Sequence, residues 1–332
     1  MVSVIVPVYN TEKYLRRCMD ALVGQTLDHD LLEIVVVNDG STDGSLEILN
    51  EYSEKYPHIV KIFSKENGGQ ASARNLGIEK ASGEYVGFAD SDDHVDTTMF
   101  EKLYKAATDN DADIVECHYH SMLELTEDGP DGLPLYKEIG TRGTIKSHVD
   151  SRELFFDPQV SPWNKLYKKK ILIDNSIRFP EGMIYEDTAF YVKVLPYIKK
   201  QIYVDEKLVY YSVRKNSTMT SNQGKRVGDI LLVIDDILNY YKDNDLYNSY
   251  KDELEYFCVK ILFCSNFSRI GRVKSNDLRK ELLKRSFDYA RSIFPDYRQN
   301  KYFTGKIGVY IKSVNRLNYG IYSKILSKVM IG

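Results

Sequence analysis

Runs of β-branched residues alternate with helically spaced apolar positions over the first 117 residues. Val2–Val8 (VSVIVPV) reads as a buried strand ending at the turn Tyr9-Asn10. Thr11 can cap a helix whose apolar side carries Tyr14, Leu15, Cys18, Met19 and Leu22. Glu33–Val37 is a second strand, Leu46–Tyr56 a second helix and Val60–Phe63 a third strand. Gly68-Gly69 opens a helix over about Gln70–Ala81, and Tyr85–Ala89 is the fourth strand. Phe100–Thr108 is a helix and Asp113–Cys117 a fifth strand. Strands separated by single helices imply a mostly parallel sheet with helices on both faces.

The pattern changes after residue 124. Glu127-Asp128-Gly129-Pro130-Asp131-Gly132 suits a loop or hairpin tip. Trp163–Tyr167 leads into a helix reaching Ile173, Tyr185–Val194 is a helix opened by Glu186-Asp187, and Ile202–Val213 holds strand-like pieces. From Val227 the spacing is helical nearly to the end, with Pro295 as the clearest break. The expected organisation is an α/β domain over 1–220, made of a first half 1–95 and a second half 96–220. A smaller all-helical C-terminal domain over 221–332 follows.

Composition changes this picture little: 43% hydrophobic and 28% charged residues suit a globular chain of 332 residues. A net charge of −3 argues against a general nucleic-acid binder. The charge is uneven, however. No acidic residue follows Asp296, while seven Lys and Arg residues do, which leaves −10 on the rest of the chain. Phe303, Ile307, Tyr310, Val314, Leu317, Ile321 and Ile325 recur along this basic tail, interrupted by Gly305, Gly308 and Gly320. Such an amphipathic segment can pack on the protein, join another subunit or lie on an anionic membrane.

Cys18, Cys117, Cys258 and Cys264 form no metal-ligand spacing and read as buried thiols of a reducing compartment. The N-terminus lacks a basic leader region and reads as a strand. No run of 18 apolar residues occurs, so the expectation is a cytoplasmic protein, with peripheral contact at the inner face of the membrane as the one membrane option.

Three polar clusters stand at strand ends: Tyr9-Asn10, Asn38-Asp39 and Asp90-Ser91-Asp92-Asp93. Asp39-x-Ser41-x-Asp43-Gly44 has the alternating oxygens of a calcium loop, but it follows a strand and its twelfth position is Asn50 rather than Glu. At the carboxyl end of a parallel strand, Asp39 is instead placed to meet a ligand. Three aspartates after one strand repel unless a cation such as Mg²⁺ or Mn²⁺ joins them, although one of them can simply cap the helix starting near Thr97. Neither a G-x-G-x-x-G nor a Walker A loop is present. His118 and His120 share one face of a strand, but no neighbouring acid in the sequence supports a metal there.

The segments VSVIVPVYN, VVVNDGSTDGS, NGGQASARNLGIEKASGEYVGFADSDD and YEDTAF, in this order, resemble family 2 glycosyltransferases over about residues 1–220. The resemblance implies a Rossmann-like GT-A fold. It implies a metal-dependent inverting enzyme that moves a hexose (glucose, galactose or N-acetylhexosamine) from a UDP-sugar to a hydroxyl of a growing glycan. That glycan would sit on a lipid-linked polysaccharide precursor or a glycoprotein. By the same resemblance, Pro7, Tyr9 and Asn10 line a uridine pocket, Asp39 accepts from the uracil N3–H, and Arg74 and Asn75 hold the nucleotide. Asp90 stands near the ribose, with Ser91 between it and Asp92, which binds Mn²⁺ or Mg²⁺. Asp187 becomes the general base with Glu186 beside it. Lys165 reaches the diphosphate and Trp163 the sugar, while Arg214 and Ser217 belong to a segment closing on the diphosphate. Lys165 and Trp163 equally suit a packed Trp with a surface Lys, and 214–218 a basic turn. The competing functions are a sugar nucleotidyltransferase, which lacks its Gly-rich loop here, and a non-catalytic module that binds glycan or acceptor through the helical region.

Overall fold

A computed structural model of the chain describes residues 1–128, 134–141, 151–213 and 224–329. They form two compact units. The first holds the described residues of Met1–Val149, Val160–Gly182 and Tyr197–Ser217, and the second those of Asp150–Gln159, Met183–Pro196 and Thr218–Gly332.

The first unit is built on one sheet. Its elements in chain order are β1 (Val2–Val8), α1 (Glu12–Val23), β2 (Leu32–Asn38), α2 (Ser45–Lys55), β3 (Val60–Ser64), α3 (Gln70–Lys80), β4 (Tyr85–Phe88), β5 (His94–Val95) and α4 (Met99–Asn110). They continue with β6 (Ile114–Asp128), β7 (Pro134–Thr141), β8 (Lys165–Lys168), α5 (Lys169–Asp174) and, after a helix of the other unit, β9 (Gln201–Val213). The strand order is β3-β2-β1-β4-β8-β6-β9-β5, with β7 paired to β6. β5, β7 and β8 run against the others.

β1 and β2 are buried along their whole length, as strands covered by helices on both faces must be. α3 lies so close to β1 that a Cβ on Gly77 would sit 2.2 Å from Ile5 Cγ2, so this contact requires glycine.

Three elements differ from the sequence expectation. β6 continues well past Cys117 because β7 and β9 pair with it on either side. Residues 165–168, which the sequence left without an element, form a strand that fills the gap between β4 and β6. The helix expected to reach Ile173 follows it at Lys169–Asp174. Ile202–Val213 is part of a single strand, its length set by pairing with β6.

The second unit contains α6 (Glu186–Val194), α7 (Ile230–Asp243), α8 (Tyr247–Lys260), a π-helical turn Ile261–Asn266, α9 (Phe267–Gly271), α10 (Asn276–Ile293), α11 (Gly305–Ser313) and α12 (Tyr319–Val329). Phe263 packs against Phe287 and Tyr297 with ring centroids 5.9 and 5.6 Å apart, within a core that also buries Ile234, Ile237 and Leu283. α6 is held on this unit by a Lys193–Asp236 ion pair and by Tyr241 OH, which donates to Val192 O at 2.8 Å. The basic tail is two helices rather than one, with a break at 314–318. No described helix is long and apolar enough to cross a membrane.

Candidate functional site

β1, β2, β3 and β4 are parallel neighbours, so their carboxyl ends lie along one edge of the sheet. Each ends in polar residues. Pro7 tolerates its missing N–H because the β1–β4 pairing stops at Ile5↔Phe88, before the proline is reached. Tyr9 follows with half of its surface exposed, and Asn10 takes a left-handed φ of 50°. The Asn10 side chain accepts from Thr42 N at 2.7 Å, and Asn10 N donates to Ser41 Oγ at 3.2 Å. Asp43 accepts from Glu12 N and Ser45 N at 3.1 and 3.0 Å. Ser41 and Asp43 therefore shape this turn.

Asp39 is almost fully buried. Its Oδ1 accepts from Lys65 Nζ at 2.8 Å and Gly68 N at 3.0 Å, and its Oδ2 from Gly69 N at 2.8 Å. A carboxylate has about four lone-pair sites, so capacity remains for one further donor. Gly69 has φ 88°, a region closed to most side chains, and opens α3 with nothing within 4 Å of where its Cβ would be. The exposed N–H groups of that first turn favour negative charge.

α3 points its polar residues at the end of β4. Arg74 Nη2 and Gln70 Nε2 donate to Asp90 Oδ1 at 2.8 and 2.9 Å, with the buried Arg74 guanidinium 5.2 Å above the Phe179 ring. Asn75 does not join them. Its amide donates to Phe179 O and accepts from Phe179 N, both at 2.9 Å, so it fixes the 179–181 segment. Ser91 is buried and accepts from Thr11 Oγ1 at 3.1 Å.

Asp92 is half-buried, and its carbonyl accepts from Arg17 Nη2 at 3.2 Å and Ser212 Oγ at 3.1 Å. Arg17 also donates to Tyr136 OH at 3.0 Å, with its guanidinium 4.3 Å above that ring. Asp93 turns inward and accepts from Ser212 N at 2.6 Å. Burial, and then the charge of Asp90, raises its carboxyl well above the usual range. Asp93 therefore belongs to the scaffold.

Among the described residues, no cluster of three His, Cys, Asp or Glu side chains could hold a metal on its own. A turn offering Asp92 with Asp90 nearby suits a hard divalent cation that takes most of its ligands from substrate phosphates and water. The donor set fits Mg²⁺ or Mn²⁺ on those terms.

Several expected residues are placed elsewhere. Lys165 is fully buried: Nζ donates to Ser161 O at 2.8 Å and Asn164 Oδ1 at 2.9 Å and lies 3.4 Å from Glu116 Oε1. It cannot extend to a diphosphate from there. Trp163 is a core residue, stacked on Tyr211 at 5.2 Å and edge-on to Tyr119 at 4.8 Å. His118 and His120 do have acidic partners, Asp205 at 3.0 Å and Glu138 at 2.9 Å, but each histidine meets a different one. Arg214 and Ser217 lie outside the described residues.

Glu186 and Asp187 open α6 in the second unit and are half-exposed. Asp187 Oδ1 accepts from Thr188 N at 2.7 Å. Tyr185 before them holds a left-handed φ of 69°, a strained state for a bulky residue. Its ring lies under Arg269 at 4.4 Å, and Ile184 N donates to Asp229 Oδ2 at 3.3 Å. This anchoring keeps both carboxylates at the helix start.

Lys65, Gln70, Arg17 and Ser212 escaped the sequence reading. Lys65 had a signal, since it follows a third parallel strand just as Asp39 follows the second. Ser212 had none, being 120 residues away from Asp92.

The family described as "Glycosyl transferase family 2" matches residues 3–172, about half of the chain. The chain is similar to glycosyltransferase GlyA of Streptococcus pneumoniae, with 38% identity over 65% of the chain and 31% of the relative. It is 32% identical to the putative glycosyltransferase EpsH of Bacillus subtilis over 78% of the chain and 74% of the relative. TarS of Staphylococcus aureus, a poly(ribitol-phosphate) beta-N-acetylglucosaminyltransferase, is 30% identical over 76% of the chain and 42% of its own length. The structure of TarS 1–349 in complex with UDP has a TM-score of 0.71 at 22% identity, covering 99% of this chain and 92% of that one. The chain thus spans about a third of GlyA and less than half of TarS.

Proposed function

Because the chain belongs to glycosyl transferase family 2, we propose that it is an inverting hexosyltransferase whose donor is a UDP-sugar. Its fold is the GT-A fold with a helical C-terminal region. The observation that carries the reading is the convergence of Asn10, Asp39 and Asp90–Asp92 on one sheet edge, with Arg74 and Lys65 as built-in counter-charges.

In this reading the exposed Tyr9 ring covers the base, and the spare lone pair of Asp39 accepts the uracil N3–H. Lys65, Gly68 and Gly69 hold that carboxylate at a fixed angle. Asp90 orients the ribose while Arg74 and Gln70 fix its rotamer. Asp92 holds Mn²⁺ or Mg²⁺, and a cation bound there supplies charge neutralisation for the departing diphosphate. The UDP of the TarS structure supports a uridine donor.

Asp187 takes the proton of the acceptor hydroxyl as that oxygen attacks the anomeric carbon from the face opposite UDP, which inverts the centre. Glu186 orients the acceptor. The acceptor is a hydroxyl of a growing surface glycan or polyol-phosphate polymer, a class consistent with the name of TarS.

The test is Asp187→Asn. UDP binding should stay within about twofold of wild type, while UDP release from UDP-hexoses in the presence of acceptor falls by about 10²–10⁴. Normal turnover in this variant removes Asp187 from the base role.

A further inference from the structure

α12 docks through its tyrosines and a serine and leaves most of its aliphatic residues outside. Its buried residue is Ser323, whose Oγ donates to Phe267 O at 2.7 Å, while Ser268 Oγ donates to Leu326 O at 3.1 Å. The approach is close because a Cβ on Gly271 would lie 2.5 Å from Ser323 O and 2.7 Å from Ser327 Cβ. Ser323 therefore faces the protein, together with Tyr319, which meets the Phe267 and Phe287 rings, and Tyr322, which meets Tyr310. The large aliphatics face out: Leu317 is 93% exposed, Ile321 60%, Ile325 52% and Val329 74%. Ile321, Ile325 and Val329 follow each other at intervals of four, so they form one ridge along the helix.

Lys324 and Lys328 stand one position from Ile325 and Val329 on the shoulder of this ridge, exposed and without an ion pair among the described residues. No acidic residue follows Asp296, and seven basic residues do. An apolar ridge flanked by lysines is complementary to a surface that is apolar inside and anionic at its rim. A two-fold contact between copies would set ridge on ridge and bring Lys324 and Lys328 of each copy towards their equivalents, which is unfavourable.

We propose that α12 is an interfacial anchor that places the Ile321–Ile325–Val329 ridge, with Leu317 just ahead of the helix, into the headgroup region of an anionic phospholipid bilayer. Lys324 and Lys328 then lie at the level of the lipid phosphates. The proposal concerns where the protein works and stands apart from the identity of its donor.

The experiment is co-sedimentation of the full chain with phosphatidylcholine vesicles, with and without phosphatidylglycerol. It compares wild type, Ile321→Asp/Ile325→Asp and Lys324→Ala/Lys328→Ala. All four positions are outward-facing, and thermal melts check that the variants remain folded. Wild type should pellet only with the anionic vesicles, and less so at high salt. Loss of the two lysines should weaken vesicle affinity roughly thirtyfold, from about 1 kcal/mol per basic residue. Loss of the two isoleucines should abolish pelleting. Equal pelleting of wild type and both variants, or no pelleting of wild type, overturns the proposal. A concentration-dependent dimer in sedimentation velocity that Ile321→Asp/Ile325→Asp dissociates, in a wild type that ignores vesicles, overturns it in favour of a second copy.

Discussion

Asp92 and Asp93 are adjacent, yet their surroundings give them different tasks. Asp92 stands at the sheet edge, whereas Asp93 is buried with one oxygen on Ser212 N and the other unpartnered among the described residues. Burial, and then the charge of Asp90, favours the uncharged form of the Asp93 carboxyl. Asp93→Asn should therefore change stability by no more than about 1 kcal/mol and preserve UDP binding, as judged by melting and calorimetry. Lys165 makes a different case. Removing it strands Glu116, whose carboxyl burial already pushes upward. Lys165→Met should cost about 3–5 kcal/mol in urea unfolding, and Glu116→Leu added to it should restore most of that. A donor affinity lowered in the restored double variant would return Lys165 to the binding site. The positions of Asp39, Asp90 and Asp92 were legible because Asp39 directly follows β2 and the other two lie in the turn after β4. The burial of Lys165 was not, since it depends on Glu116, a strand partner 49 residues earlier.

Among the elements, the strands and helices of the first 117 residues were readable because β-branched runs and helical spacing agree with the pairings that form. β8 was not readable. It is four residues long, too short for a pattern of its own, and its two neighbours in the sheet hold it extended. β2 carries a pH-dependent tie at the opposite end from the site. Burial alone would raise the Glu33 carboxyl, but hydrogen bonds from Lys61, Ser3 and Ser82 outweigh it and hold the group at about 2. The folded state therefore releases this proton more readily than the unfolded chain. The stability that Glu33 supplies is full above about pH 4.5 and disappears as the pH falls towards 2. Wild type should be more stable than Glu33→Gln at pH 7, by an amount of the order of 3 kcal/mol, and the gap should close by pH 2. A gap independent of pH would show that Glu33 is not held ionised by these bonds.

At the scale of the whole molecule, the residues proposed for the donor and for the acceptor belong to different compact units. The strand-end cluster belongs to the sheet, and Glu186-Asp187 to the helical unit through α6. The family motifs lie in order along the chain but do not reveal that α6 leaves the sheet, because that follows from its packing on α7 through Lys193–Asp236 and Tyr241. The central claim is that the edge formed by β1, β2 and β4 is a uridine-diphosphate site completed by a divalent cation at Asp92. Calorimetric titration of UDP and of GDP, with Mn²⁺ and then with EDTA, on wild type and Asp92→Ala tests it without any acceptor. The account predicts binding of UDP alone, only with the metal, and its loss in Asp92→Ala with an unchanged melting temperature. Binding of UDP that survives both EDTA and Asp92→Ala, or no binding of UDP to the wild-type protein, would contradict it.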